Sequence, residues 1–199
     1  MPQRQDPPRR ELLLDEIEAV VLAEGFRGLR VGDLASRFRC SRSTLYKLSP
    51  SKAELMRLVF ARFINRAIDD AQAAAEREHT LEDKIMRFLL TLQRWQAKGS
   101  LSFWGDARDL DLVAGVLDEQ SARGYRILQR YMDEGIADGS FRPSNTAFLS
   151  YIGWLAARAA RDPDVLGRAG LSPGDAMGEI ARFVVYGMMP MPPFAQAKR

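Results

Sequence analysis

An all-α fold follows from three observations on this sequence. Apolar residues recur at three- and four-residue spacing along most of the chain, no segment alternates apolar and polar residues between hairpin turns, and capping hydroxyls and stop glycines bracket the apolar runs. The first ten residues, with Pro2, Pro7 and Pro8, carry no apolar stripe and are expected to form a mobile arm. A first helix is predicted over Arg10 to Glu24 on Leu13, Ile17, Val20 and Val21; Gly25 stops it in the left-handed conformation and Phe26 folds back. Val31 to Phe38 reads as a short helix with Leu34, Ala35 and Phe38 inward. After a three-residue break, Arg42 to Leu48 reads as another, with Ser41 as its N-cap. Ser49-Pro50-Ser51 ends it, and Ser51 caps a long helix from Lys52 toward Glu78.

Downstream, Leu81, Ile85, Phe88, Leu92 and Trp95 mark one face of a fifth helix, capped by Thr80 and stopped by Gly99. A short irregular or helical piece around Ser102 to Leu110 precedes a long helix from about Leu112 to Ala137, which carries Tyr125, Leu128, Met132 and Ile136 and ends before Gly139. Asn145 to Arg161 and Pro173 to Met188 are the last two helices, and Pro190, Pro192 and Pro193 close the fold.

Composition narrows the function classes. A chain of 199 residues holds one substantial core or two small ones, and 46% hydrophobic with 28% charged residues argues against global disorder. The longest charge-free stretches, Pro143 to Ala157 and Phe183 to Ala197, have 15 residues each, short of the roughly 20 that span a bilayer. Leu12 to Leu14 is cut by Asp15 and Glu16 before it can serve as a signal core, so a cytoplasmic protein without a membrane role is expected. One cysteine, Cys40, and one histidine, His79, exclude an internal disulfide and a zinc site built from soft ligands. No glycine-rich phosphate loop, nucleophile elbow or paired-histidine helix occurs. The expectation is therefore no catalysis, no metal and no cofactor.

Charge is unevenly placed. Residues 1–60 hold 11 basic and 8 acidic side chains, residues 61–199 hold 18 of each, and between Arg27 and Arg57 the ratio is 8 to 2. That local excess suits a polyanion, although a solvated basic surface gives the same count. Two seven-residue helices joined by a short turn cannot bury themselves and need the first and fourth helices for support, which is the logic of a helix-turn-helix. With Leu45 and Leu48 inward beside Leu34 and Phe38, helical spacing puts Arg42 and Tyr46 on the outer face with Ser43 and Lys47 beside them, able to enter a major groove. Arg42 can offer a fork to guanine, the Ser43 and Thr44 hydroxyls suit bases or phosphates, and Tyr46 and Lys47 suit backbone oxygens. Lys52 adds charge where a helix N-terminus favours phosphate.

Val31-Gly32-Asp33-Leu34-Ala35, then Cys40-Ser41-Arg42-Ser43-Thr44-Leu45-Tyr46-Lys47, then Ser51-Lys52-Ala53-Glu54-Leu55, resembles the N-terminal signature of the TetR family of bacterial transcriptional regulators. The resemblance covers residues 12–60. It implies an N-terminal three-helix helix-turn-helix DNA-binding domain, with its arm, over 1–50, on a larger helical effector-binding and dimerisation domain over 51–199. It also implies a homodimer formed through the last two helices, a double-stranded, pseudo-palindromic operator, an unidentified small-molecule effector, and action as a repressor. The chain departs from the signature at Arg30, where a Thr or Ser usually caps, at Arg39, where the turn usually has Gly, and at Leu48 and Ser49, which replace an aromatic pair. A strained turn at Arg39 is expected.

Phe88, Trp95, Phe103, Trp104 and Tyr125 are the candidate effector contacts, within a wider aromatic set that includes Tyr131, Tyr151 and Trp154; ordinary core packing is the competing reading. Asp106, Asp109 and Asp111 could hold a cation or polar ligand, or form a solvated acidic face. Small residues in the last two helices permit close approach between subunits or within one. The alternatives from other classes are a helical protein-interaction module and a small helical enzyme using the aromatic pocket with those three aspartates. Cys40 reads as a packed side chain rather than a redox sensor, and His79 as exposed.

Overall fold

Ten helices and no strand make up the described residues, 7–109 and 111–189, of the computed structural model, in which side chains are described at 9–107 and 122–189. The helix α1 (Pro7–Glu24) begins inside the expected arm: Pro7 and Pro8 lie in its first turn, where a missing N–H leaves no hydrogen bond unmade. Residues 1–6, like Pro190, Pro192 and Pro193, lie outside the described residues. Next come α2 (Val31–Arg37), α3 (Arg42–Leu48), α4 (Lys52–Ala75), α5 (Leu81–Gln96) and α6 (Leu101–Asp109). They are followed by α7 (Asp111–Ala137), α8 (Thr146–Ala159), α9 (Pro163–Ala169) and α10 (Pro173–Met188). The expected caps form: Ser41, Ser51 and Thr80 each accept the backbone N–H three residues on at 3.1 Å. The helix α9 has no counterpart in the expected set. Its seven residues bury only Leu166, too little to show a period, but Asp162 caps it, Pro163 opens it and Gly170 closes it at φ +66.

The long α4 is the axis of the molecule. It packs against α1, α5 and α7, while α10 packs on α5 and α8. A single hydrophobic cluster runs from Leu14 in α1 to Met188 in α10. At its N-terminal end the Phe60 ring stacks face to face on Phe103 of α6 at 4.5 Å and meets Phe26 edge-on at 5.4 Å. Phe26 does fold back, and it joins the core that the helix-turn-helix shares with the rest of the chain.

Charge complementarity reinforces the α1–α4 contact. Glu11, Asp15 and Glu18 form one stripe on α1 facing Arg62 and Arg66 on α4; Arg62 lies 3.0 Å from Glu11 and 2.9 Å from Asp15, and Arg66 lies 2.9 Å from Asp15 and 3.3 Å from Glu18. Burial pushes the Glu18 carboxyl above its ordinary range against the pull of Arg66 and Arg62. Desolvation acts the same way on the more exposed Asp15, but there the two guanidinium groups prevail and hold it below that range.

The α2–α3 turn closes as a Schellman motif. The Arg39 N–H donates to the Ser36 carbonyl at 3.3 Å and the Cys40 N–H to the Ala35 carbonyl at 3.0 Å, with Arg39 at φ +48, the one positive value on a non-glycine among the described residues. Cys40 is half-buried against the core, and burial pushes its thiol pKa up, as befits a packed side chain. At the other end of α2, the Arg30 side chain makes no cap, and the Asp33 carboxylate accepts the Arg30 N–H at 3.3 Å instead. Leu48 and Ser49 are both buried at the end of α3. Since a side chain in the left-handed region costs about 1 kcal/mol, Arg39→Gly is expected to raise the thermal unfolding midpoint by about 2–4 °C for a chain of this length, followed by circular dichroism. A lower midpoint would mean that the arginine side chain, rather than its backbone, governs the turn.

Candidate nucleic-acid interface and effector cavity

The helix α3 buries Leu45 and Leu48 and exposes Arg42, Ser43, Tyr46 and Lys47, with half the Tyr46 surface open. Ser41 gathers the two neighbouring hydroxyls, Ser43 Oγ at 2.7 Å and Thr44 Oγ1 at 2.9 Å, so Thr44 is half-buried within the cap and Ser43 sits exposed at its rim. The Arg42 guanidinium lies across the first turn of α2 where Gly32 has no side chain; a Cβ there would meet it at 2.8 Å. Arg39 is exposed on the turn between α2 and α3, while Arg37 is engaged with Glu24 at 2.7 Å. Lys52 donates to the Arg27 carbonyl at 3.0 Å, which leaves two of the three ammonium protons uncommitted by that bond.

That carbonyl belongs to the link between α1 and α2, which is bonded mainly to elements outside the helix-turn-helix. The Asp106 carboxylate on α6 accepts the backbone N–H of Phe26 at 2.7 Å and of Arg27 at 2.8 Å through the same oxygen, and the Arg27 guanidinium lies 3.7 Å from the other. Gly25 makes this approach possible: it has φ +78, and a Cβ there would lie 2.6 Å from Asp106 Oδ2. The Ser100 N–H donates to the Leu22 carbonyl at 2.9 Å, tying the end of α1 to the α5–α6 link. Asp106 is thus committed to the backbone and to Arg27 rather than to a metal ion. Asp109 and Asp111 lie outside the residues whose side chains are described, and among the described residues no group of three metal-ligating side chains occurs.

A cavity of about 100 Å³ opens between α4, α5, α7, α8 and α10. Phe88, Trp95, Trp104 and Tyr125 line it together with Phe63, Trp154 and Arg161. Phe103 does not: it is fully buried between Phe60, Phe63 and Trp104, because the α5–α6 link turns it toward α4. Gly99 permits that turn, since a Cβ at 99 would lie 2.6 Å from the Phe103 ring and 2.7 Å from Trp104 Nε1. Of the wider aromatic set, Tyr131 is buried against α4, where burial and its bond to Glu76 push its pKa up to about 12, and Tyr151 is exposed. Two wall residues also reach toward α1. Trp104 lies two positions before Asp106 on α6, and the Arg66 guanidinium that pairs with Asp15 sits 5.7 Å over the Trp95 ring.

No protein-family model matches this sequence, and no curated protein sequence is significantly similar to it. Solved structures are similar. A transcriptional regulator from Saccharomonospora viridis, in complex with choline, superposes with a TM-score of 0.75 at 18% identity over 94% of this chain and 100% of its own. A TetR-family regulator from Agrobacterium tumefaciens gives 0.70 at 12% identity over 93% and 100%. The chain has the TetR-family fold. FadR from Bacillus subtilis, in complex with stearoyl-CoA, gives 0.71 at 14% identity over 89% and 98%.

In this TetR-type fold, α8 and α10 leave an apolar face open. Phe148, Tyr151, Ile152 and Leu155 recur on α8 at three- and four-residue spacing, and Phe183 and Tyr186 on α10 are 76% and 65% exposed. No described helix is long and apolar enough to cross a membrane. His79 is exposed in the link between α4 and α5. Sequence reasoning missed the roles of Asp106, Arg62 and Arg66. For the arginines a signal existed, namely two complementary stripes at helical spacing; for Asp106 none did, since its partners are backbone N–H groups about 80 positions away.

Charge-assisted hydrogen bonds are each worth about 1.5–3 kcal/mol. Asp106→Ala is therefore expected to lower unfolding stability in urea by about 2–3 kcal/mol and to speed amide exchange at Phe26 and Arg27 before the rest of α1. Unaltered exchange at those two amides would remove Asp106 from the link.

Proposed function

We propose that the protein is a ligand-responsive transcriptional regulator that binds a pseudo-palindromic DNA operator as a homodimer and represses from it. The observation that carries this reading is the α3 face: Arg42, Ser43, Tyr46 and Lys47 stand exposed on a short helix anchored by Leu45 and Leu48, within a TetR-type fold. In the proposed division, residues 1–50 read DNA and residues 51–199 bind the effector and dimerise. Arg42 takes a base edge, Ser43 and Thr44 contact bases or phosphates, and Tyr46 and Lys47 hold the backbone; Lys52 adds charge at the start of α4. Work in the cytoplasm without catalysis is part of the same reading.

The occupant of the open α8–α10 face is a second copy of the chain, since exposed aromatic residues on two adjoining helices form the kind of patch that soluble monomers avoid. Symmetric pairing through that face sets two α3 helices against half-sites about 34–36 Å apart. The effector cavity is the aromatic one, with Phe88, Trp95, Trp104 and Tyr125 on its wall; Phe103, buried behind it, supports the wall without touching ligand. The choline and stearoyl-CoA complexes of two structural neighbours favour a small molecule within the helical body. An effector releases DNA only if it binds the non-operator conformation more tightly, and α6 and Arg66 offer it two paths to α1.

Fluorescence anisotropy with an inverted repeat from the protein's own upstream DNA tests the reading. Arg42→Ala is expected to cost about 1–3 kcal/mol and relax preference at one half-site position, whereas Lys47→Ala weakens all sequences and makes the salt slope shallower by about 1. Equal affinity for wild type and both variants overturns DNA binding by α3. Independently, Phe183→Asp is expected to convert a dimer to a monomer in sedimentation velocity and to weaken operator binding through lost avidity.

A further inference from the structure

The polar chemistry of the cavity wall selects among effectors. Three tryptophans line it, and two have committed their indole N–H: Trp95 to the Asp70 carboxylate at 2.8 Å and Trp104 to the Gln96 carbonyl at 3.2 Å. The Trp154 N–H is buried with no acceptor among the described residues. An indole nitrogen only donates, so a ligand that satisfies Trp154 must bring an oxygen or another acceptor. Gln96 has turned its amide N–H to the Ala160 carbonyl at 3.1 Å and so holds its side chain in place.

Arg161 is the single charged residue among the described lining residues, and it lies on the same stripe as Trp154 and Ala157, seven positions on. Its Nε–H donates to the Ala157 carbonyl at 3.0 Å, which orients the guanidinium near the end of α8. Each wall tryptophan already has a cation of the protein against its ring: Lys98 Nζ is 3.4 Å from the Trp95 centroid, Arg158 is 5.1 Å from that of Trp154, and Arg161 is 5.7 Å from that of Trp104. A quaternary ammonium, which binds such rings by its positive charge, would compete for rings that each already engage a cation of the protein. A hydrocarbon or arene fits the remaining wall, which is built from Phe63, Phe88, Leu92 and their neighbours.

We infer that the effector of this cavity is an apolar carboxylate, an arene or acyl chain whose carboxylate oxygens accept from Trp154 Nε1–H near the Arg161 guanidinium. The inference rests on the proposed effector role of the cavity and adds to it the class of ligand and the two residues that select it. Trp154 rewards any acceptor; Arg161 distinguishes the anion from a neutral one.

Calorimetric titration of the full chain with phenylbutyrate, phenylbutanol and phenylbutyl-trimethylammonium, which share one body and differ in head group, tests it. The carboxylate is expected to bind about tenfold more tightly than the alcohol, with the ammonium weakest. Trp154→Phe keeps a ring and removes the donor, and is expected to weaken both oxygen-bearing probes about fivefold. Arg161→Gln should bring the carboxylate down to the level of the alcohol. The ranking on the wild-type chain decides even if a variant fails to fold. If the alcohol or the ammonium equals or exceeds the carboxylate, the ligand class is overturned and the cavity remains an effector site. If none of the three binds while the chain still holds its operator fragment, the cavity reading falls with the inference and DNA binding is unaffected.

Discussion

One carboxylate fixes how the helix-turn-helix sits on the rest of the molecule. Where α1 ends, Gly25 reverses the chain, and the next two backbone N–H groups would be left without acceptors beneath α6. Unpaired backbone groups in such a place cost about as much as a lost hydrogen bond each. Asp106 satisfies both with one oxygen, Lys52 takes the Arg27 carbonyl, and Ser100 supplies the donor for Leu22. Much of the polar backbone of the link is thereby satisfied from α4, α6 and the segment before α6. The orientation of α2 and α3 follows those elements, because a tilt of α1 relative to α6 strains these bonds.

Two kinds of contact support this arrangement and differ in what they contribute. Apart from the buried Glu18, the ion pairs between α1 and α4 involve partly exposed side chains, and pairs of that sort are worth about 0–1 kcal/mol each, so their effect is on register more than on stability. The aromatic contacts weigh more. Phe26, Phe60 and Phe103 are fully buried, and each buries area on the scale of about 150–250 Å², joining the link after α1 to α4 and α6. Burial holds α1, α4 and α6 together, while the carboxylate and guanidinium groups decide how they are turned. Glu18 illustrates the balance, since its burial among apolar neighbours outweighs two nearby arginines and raises its pKa.

Much of this was legible in the sequence, and the failures have a common cause. Helical spacing gave eight of the ten helices now described and left α6 open between an irregular and a helical piece, and Ser41, Ser51 and Thr80 cap where local chemistry says they should. The positive φ at Arg39 was readable because the turn geometry demands it whatever residue stands there. These are local properties. Phe103 and Trp104 are adjacent and chemically alike, yet one is core and the other wall, and only the turn permitted by Gly99 decides between them. Asp106 looked like one member of an acidic cluster because the sequence records its charge and not the distant N–H groups it accepts from. The helix α9 was missed although Asp162, Pro163 and Gly170 announce it, because seven residues with one buried leucine carry no period.

The location of the cavity gives the proposed regulation an energy scale. Shifting a two-state equilibrium from 1:99 to 99:1 takes about 5.5 kcal/mol of differential affinity. The two amide bonds to Asp106, which share one oxygen, together represent about 2–3 kcal/mol, and the Arg66 contacts add a smaller amount. A ligand that turns Trp104 need only bring α6 to a position where those bonds are strained, and one that moves Trp95 disturbs the cation facing Asp15. Each wall residue is joined to α1 or the link after it through a neighbour, Trp104 by way of Asp106 and Trp95 by way of Arg66, and neither path requires the core aromatics to separate. The burial that holds the three helices together can therefore persist in both conformations, while the weaker polar contacts carry the change.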